Sequence, residues 1–284
     1  MADAEGGKVT GLLTSGRTAM TRLLSLCLLL LSASVARAAA LETSLDVRGA
    51  DGERIPMRVL EPEGAAANPP IAVLLHGLTR RKEDWLSNEG PTHGGVLKDE
   101  LLRSGYRVYL LDARRHGERA TPEARPGALA KRAHQGDPSG YVAMIADTVR
   151  DAHALLTTVL AKGQPPRVLV AGYSMGAQVG ILLAAREPRM THLVTMVPPN
   201  IDPSMEEVAP SRHMASVHQD WLLLTANKDD FAPVADSRAL FDAAPSRRKT
   251  HKTFDSGHVL PREYLEEVRR WLHADRRAPG RKDP

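Results

Sequence analysis

Residues 167–176 read Arg-Val-Leu-Val-Ala-Gly-Tyr-Ser-Met-Gly. Residues 167–171 form a short apolar run of strand length, and a helical pattern starts around Ser174, with Val179, Leu182 and Leu183 on its inner face. Between strand and helix stand Gly172, Tyr173, Ser174, Met175 and Gly176. A sharp strand-to-helix turn projects a serine hydroxyl from the end of a sheet, and the two glycines remove side chains that would crowd such a bend. The amide of Met175 points into the same space. A helix cap is the plain alternative for Ser174, but a cap requires neither glycine.

Working outward, the same alternation repeats. Upstream, residues 71–75 are a continuously apolar strand candidate, which expects cover on both faces. Residues 96–102 read as a helix, 106–111 as another interior strand and 141–160 as a long helix. Residues 41–48 and 54–60 suggest an edge hairpin around the turn at 49–52. Downstream, strands at 193–197, 221–225 and 248–253 alternate with helices at 204–217, 235–241 and 264–273. Strand followed by helix, repeated this often, requires a mostly parallel sheet of about eight strands with helices on both faces.

The segment 172–176 in this setting resembles the nucleophile elbow of the α/β-hydrolase superfamily, and the resemblance spans residues 41–275. It is similar to a serine-nucleophile branch of esterase and dienelactone-hydrolase type, which implies the α/β-hydrolase fold. A neutral serine hydroxyl is a poor nucleophile, so a histidine must take its proton and a carboxylate must orient that histidine. Asp229 follows the strand at 221–225, and His258 follows the strand at 248–253 and precedes the closing helix. The order Ser174, Asp229, His258 is that of the superfamily. Its acid stands four residues before a proline, matching Asp229 and Pro233, with Asp230 as the rival.

The resemblance further implies an oxyanion hole from the amides of Met175 and Leu78, the latter in His76-Gly77-Leu78-Thr79 after the strand at 71–75. His76 reads as a hydrogen-bonded support of that loop rather than as the base. Residues 112–119, Asp-Ala-Arg-Arg-His-Gly-Glu-Arg, loosely resemble the superfamily's Asp-x-Arg-x-His-Gly region. There Arg114 or Arg115 could attract an anionic leaving group, although a network with Asp112 and Glu118 is the more ordinary expectation. His116 has acids nearby, but no compact metal-ligand spacing joins these loops, and the triad needs no cofactor or metal.

The flanks read differently. Arg22, the apolar residues 23–31 and the small residues Ala36 and Ala38 have the layout of a secretory leader, so residues 1–38 are expected to be removed on export, periplasmic or secreted. Residues 39–277 form the hydrolase domain, and residues 278–284 form a Pro- and Gly-containing charged tail. Without the first 38 residues the formal charge falls from +4 to +2, which gives no concentrated basic face for nucleic acid. The sole cysteine, Cys27, lies in the leader, which excludes disulfides and a thiolate nucleophile from the processed chain. The apolar run is also shorter than a membrane span.

Residues 198–220 leave room for one short helix, and 120–140 read as a second rim, so the cap is minimal and the cleft open. Met205, Met214, Trp85 and Phe231 are candidates for an apolar acyl pocket. The expected activity is hydrolysis of a small-molecule carboxylic ester. A thioesterase, lipase, peptidase or perhydrolase could use the same residues, and a catalytically silent binding protein could keep the same scaffold.

Overall fold

Every residue of the strand β3 (Ile71–Leu75) and of β5 (Val168–Tyr173) is buried, as their unbroken apolar sequences require of strands covered on both sides. They pair in parallel from Ile71 opposite Val168 to Leu75 opposite Gly172. This is seen in a computed structural model that describes residues 40–43, 45–49, 51–62 and 64–276. The expected leader at 1–38 and tail at 278–284 lie outside the described residues.

Eight strands form one sheet in the order β1-β2-β4-β3-β5-β6-β7-β8. The others are β1 (Ala40–Thr43), β2 (Met57–Pro62), β4 (Arg107–Leu111), β6 (His192–Met196), β7 (Asp220–Ala226) and β8 (Lys249–Phe254). Pairings of β2 with β1 and with β4 are antiparallel, and all others are parallel. The expected hairpin between 41–48 and 54–60 is shorter than its sequence suggested, with only an isolated bridge between Arg48 and Arg54 near its turn. At the other edge, β8 is Lys-Thr-His-Lys-Thr-Phe and largely exposed, polar as befits an unpaired margin.

Successive side chains of the central strands enter opposite cores. Val168 and Val170 join Val73, Leu223 and the helices α3 (Ser139–Leu160), α4 (Met175–Ala184) and α5 (Val234–Ala243). Leu169 and Ala171 join Leu74, Leu222 and the helices α1 (Gly94–Arg103) and α6 (Tyr264–Arg276) on the other side. All-parallel strand ends then put the loops after β3, β4, β5, β6, β7 and β8 along one rim.

Two rim segments differ from their sequence reading. The helix expected at 204–217 is replaced by two 3-10 turns, Pro210–Arg212 and Met214–Ser216. Pro210 interrupts the run, and Met205, Val208 and Arg212 donate to carbonyls three residues back. Conversely, 120–140 contains the helix α2 (Pro126–His134), which starts on a proline at its first turn and continues through Ala128, Leu129 and Ala130.

Candidate active site

The turn at 172–176 is tight enough that its glycines are obligatory. A Cβ on Gly172 would lie 2.1 Å from the carbonyl oxygen of Gly176, and one on Gly176 would lie 2.1 Å from that of Leu75. Ser174 itself takes φ 53° and ψ −118°, a strained conformation for a residue with a side chain. Its N–H donates to the carbonyl of Met196 at 2.8 Å, which anchors the turn to the end of β6.

From this position Ser174 Oγ lies 2.9 Å from His258 Nε2, and His258 Nδ1 lies 2.8 Å from Asp229 Oδ2. Donation of Nδ1–H to the carboxylate leaves Nε2 free to accept the serine O–H. The other carboxylate oxygen, Asp229 Oδ1, accepts the N–H groups of Phe231 at 2.9 Å and Ala232 at 3.1 Å, so Asp229 is buried and fixed by its own loop. Asp230 is exposed and turned out of this constellation.

Backbone pairing continues beyond β7 and β8 and brings the acid and histidine loops together. Asn227 N–H donates to Phe254 and Lys228 N–H to Ser256, each at 3.0 Å. The hydroxyl of Tyr173 donates to the His258 carbonyl at 2.9 Å and accepts the Leu260 N–H at 2.8 Å, holding the histidine loop against β5. The Phe231 ring, 72% exposed, meets the His258 ring edge-on with centroids 5.4 Å apart.

The loop after β3 runs directly beside the serine. A Cβ on Gly77 would sit 3.6 Å from Ser174 Cβ. No acceptor among the described residues takes the N–H of Leu78 or of Met175, the latter heading helix α4. Thr79 has φ 62°, and at the end of β6 the buried Val197 has φ 45°. His76 is buried in this loop with its Nδ1 2.9 Å from the Gly77 carbonyl.

A model of the alpha/beta hydrolase family matches residues 72–283, which take in the strands β3 to β8 from the second residue of β3 onward and every residue of the constellation. The chain belongs to the alpha/beta hydrolase family. No curated protein matches its sequence. Among solved structures, it resembles the Pyrococcus furiosus esterase Pf2001 with a TM-score of 0.63 and 16% identity, over 84% of this chain and 91% of that one. A polyethylene-glycol-bound cold-adapted esterase from an Arctic intertidal metagenomic library gives 0.61 and 21%, over 82% and 92%. Est1E from Butyrivibrio proteoclasticus, with ferulic acid bound, gives 0.60 and 13%, over 82% and 98%.

In this alpha/beta hydrolase the charged segment after β4 is wired differently from its sequence reading. Arg114 does not pair with Asp112 or Glu118. Its guanidinium bonds Asp151 at 2.6 and 2.9 Å and reaches Asp51 and Glu53 at 2.6 Å, while Arg115 is exposed. Burial works against the Arg114 charge, but the bonds to Asp151 and Asp51 outweigh it and push its pKa up. Lys82 is the actual partner of Asp112, at 2.7 Å with both side chains buried, and it also meets Glu118. Burial opposes the Lys82 charge as well, and these carboxylates overcome it.

Of the four acyl-pocket candidates, only Met214 lines the cavity of about 200 Å3 beside the post-β6 loop. Trp85 is 2% exposed and lines a smaller cavity beneath Gly77, whereas Phe231 stands out in solvent. The alpha/beta hydrolase has no cluster of three His, Cys, Asp or Glu side chains placed to hold a metal ion among the described residues.

Proposed function

We propose that this alpha/beta hydrolase is an exported serine esterase that cleaves small carboxylic esters. The observation that carries this reading is the unbroken chain from Ser174 Oγ through His258 to Asp229, with links of 2.9 and 2.8 Å. In acylation, His258 Nε2 takes the serine proton as Oγ bonds the ester carbonyl carbon. The carbonyl oxygen becomes an anion stabilised by the N–H groups of Leu78 and Met175. Collapse breaks the carbon–oxygen bond to the leaving group, and His258 passes its proton to that oxygen, releasing an alcohol. Water then enters, His258 takes its proton, and hydroxide attacks the acyl carbon. The bond to Ser174 breaks, the proton returns to Oγ, and the acid leaves. Asp229 orients the imidazole and balances its charge in both halves.

Two features support a small substrate. The post-β6 segment contributes only short 3-10 turns to the rim. The half-open pocket it forms with helix α5 has a volume of about 200 Å3, with walls that include Pro198, Pro199, Pro203 and Pro210. The Ser174 N–H bonds the carbonyl of Met196, two residues before Pro198, where the wall of this pocket begins. An apolar cavity of about 150 Å3 admits benzene, so the volume suits a short chain or a single ring. The likeness in fold to the two esterases supports the same chemistry. Export rests on the basic, apolar and small-residue layout of residues 22–38.

A serine-directed organophosphonate should add one label, located at Ser174 by mass spectrometry and missing from Ser174→Ala. A folded protein that stays unlabelled would point to a non-catalytic binding protein. Chromogenic esters of increasing acyl length should be cleaved fastest at short lengths, and a preference for long chains or for thioesters would replace the substrate assignment. N-terminal sequencing of the extracytoplasmic protein should begin near Ala39.

A further inference from the structure

The loop after β3 and the loop after β4 are tied by two histidines that act reciprocally. His76, from the first loop, accepts the N–H of Ala113 at Nε2, 3.1 Å away. His116, from the second, accepts the N–H of Thr79 at Nε2, also 3.1 Å away. Each ring turns its Nδ1 to a carbonyl of its own loop, Gly77 at 2.9 Å and Arg114 at 2.7 Å. The rings are buried with centroids 5.0 Å apart. A backbone N–H meets only an acceptor, so both Nε2 atoms are unprotonated and both rings are neutral, with the hydrogen on Nδ1. Burial, which disfavours a charge on either ring, acts in the same sense, although Asp112 near both rings and Asp84 and Glu83 near His76 oppose it.

The position of these bonds gives them a role. A peptide unit is planar and trans, so the direction of a carbonyl fixes that of the N–H on the other side of the same bond. The Gly77 carbonyl, held by His76 Nδ1–H and by the Arg80 N–H at 3.1 Å, therefore fixes the direction of the Leu78 N–H. The next peptide plane is fixed from its other end, where His116 holds the N–H of Thr79 in its left-handed conformation. Both peptide planes flanking Leu78 are thus set by imidazoles.

We propose that His76 and His116 are positioning residues that aim the Leu78 N–H at the oxygen that becomes negative during attack by Ser174. This rests on the esterase reading above. A preorganised donor acts on the transition state more than on bound substrate, so its misdirection lowers kcat and spares KM.

The test is steady-state hydrolysis of a short chromogenic ester by wild type, His116→Leu, His116→Asn and His116→Gln, with kcat expressed per organophosphonate-labelled Ser174. Glutamine can carry an acceptor to the place of Nε2, asparagine is too short, and leucine has none. Loss of a whole oxyanion-hole donor costs about 10²–10³ in kcat. Misdirecting one should cost about 10- to 100-fold in His116→Leu and His116→Asn, with KM within about twofold. His116→Gln should recover most of the loss. Because asparagine is polar, His116→Asn serves if the leucine variant does not fold. Unchanged kcat per labelled site in His116→Asn, or a loss equal in all three variants, would overturn the positioning role. Failure of wild type to label or turn over would instead remove the esterase reading.

Discussion

Asp229 Oδ2 lies 2.8 Å from Nδ1 of His258, whereas the adjacent Asp230 is exposed. The carboxylate fixes the imidazole tautomer that leaves Nε2 free for Ser174. Replacing it with a group that can donate in its place reverses the tautomer. Asp229→Asn should therefore lower kcat by on the order of 10⁴, with little change in thermal midpoint, while Asp230→Asn retains near-native turnover. Steady-state kinetics on both variants decides the assignment, and the opposite ranking would transfer the role to Asp230.

A second expectation concerns backbone space. Since a methyl group on Gly176 would fall 2.1 Å from the Leu75 carbonyl oxygen, Gly176→Ala has to separate helix α4 from β3. Overpacking typically costs about 1–3 kcal/mol, and a clash with backbone belongs at the upper end. Chemical denaturation should show that loss, and organophosphonate labelling of the folded fraction should slow. Gly180→Ala is the control, because its Cβ would meet only side chains at 3.4 Å or more.

Burial makes Lys82 a structural residue. Its side chain is 2% exposed against the fully buried Asp112, and removing one member of such a pair leaves an uncompensated buried charge. Lys82→Met should cost about 3–5 kcal/mol. At about 2–4 °C per kcal/mol for a domain of this size, calorimetry should show a midpoint lowered by roughly 10 °C. An unchanged midpoint would mean that the carboxylate is satisfied by the backbone N–H groups of Lys82 and Glu118 alone.

Acid should loosen the protein through the histidine pair. Burial, and a smaller repulsion from His76, push His116 down to about 4 from an ordinary value near 6.5. Between those values the unfolded chain binds the proton that the folded chain resists, so stability rises with pH across the window and falls as the solution is acidified. Above about pH 6.5 both states are neutral, and the contribution is flat. His116→Gln removes this titration. The stability of wild type relative to His116→Gln should then decline by about 1.4 kcal/mol per pH unit from pH 6.5 towards 4. Denaturation midpoints of both proteins measure it, and parallel curves would mean that His116 protonates freely in the folded state.

What the sequence disclosed and what it concealed have physical causes. Gly172, Gly176 and the apolar strands β3 and β5 were readable because each is demanded locally, by a bend without room for Cβ or by cover on two faces. The grouping of Ser174, Asp229 and His258 was expected from the resemblance to the superfamily's chain order, and parallel strands deliver the loops that follow them to one rim. Lys82 was missed, since lysine ordinarily stays in water and its partner Asp112 is thirty residues away. The bonds of His76 and His116 span 37 residues and exist only after two loops meet. Helix α2 hid behind prolines and glycines that read as loop, whereas the run 204–217, read as one helix, is broken at Pro210 into the turns at 210–216.

Thr79, Ser174 and Val197 share left-handed φ angles of 62°, 53° and 45°, and all three border the same rim. Glycine would relieve each backbone, and a search for heat-tolerant descendants of this chain would be drawn to these three places first. The hydroxyl at the middle one cannot be surrendered. At the two beside it, descendants that gained endurance would lose the rigid framing of the reactive oxygen, so durable versions of this protein are better sought along its exposed margin at β8.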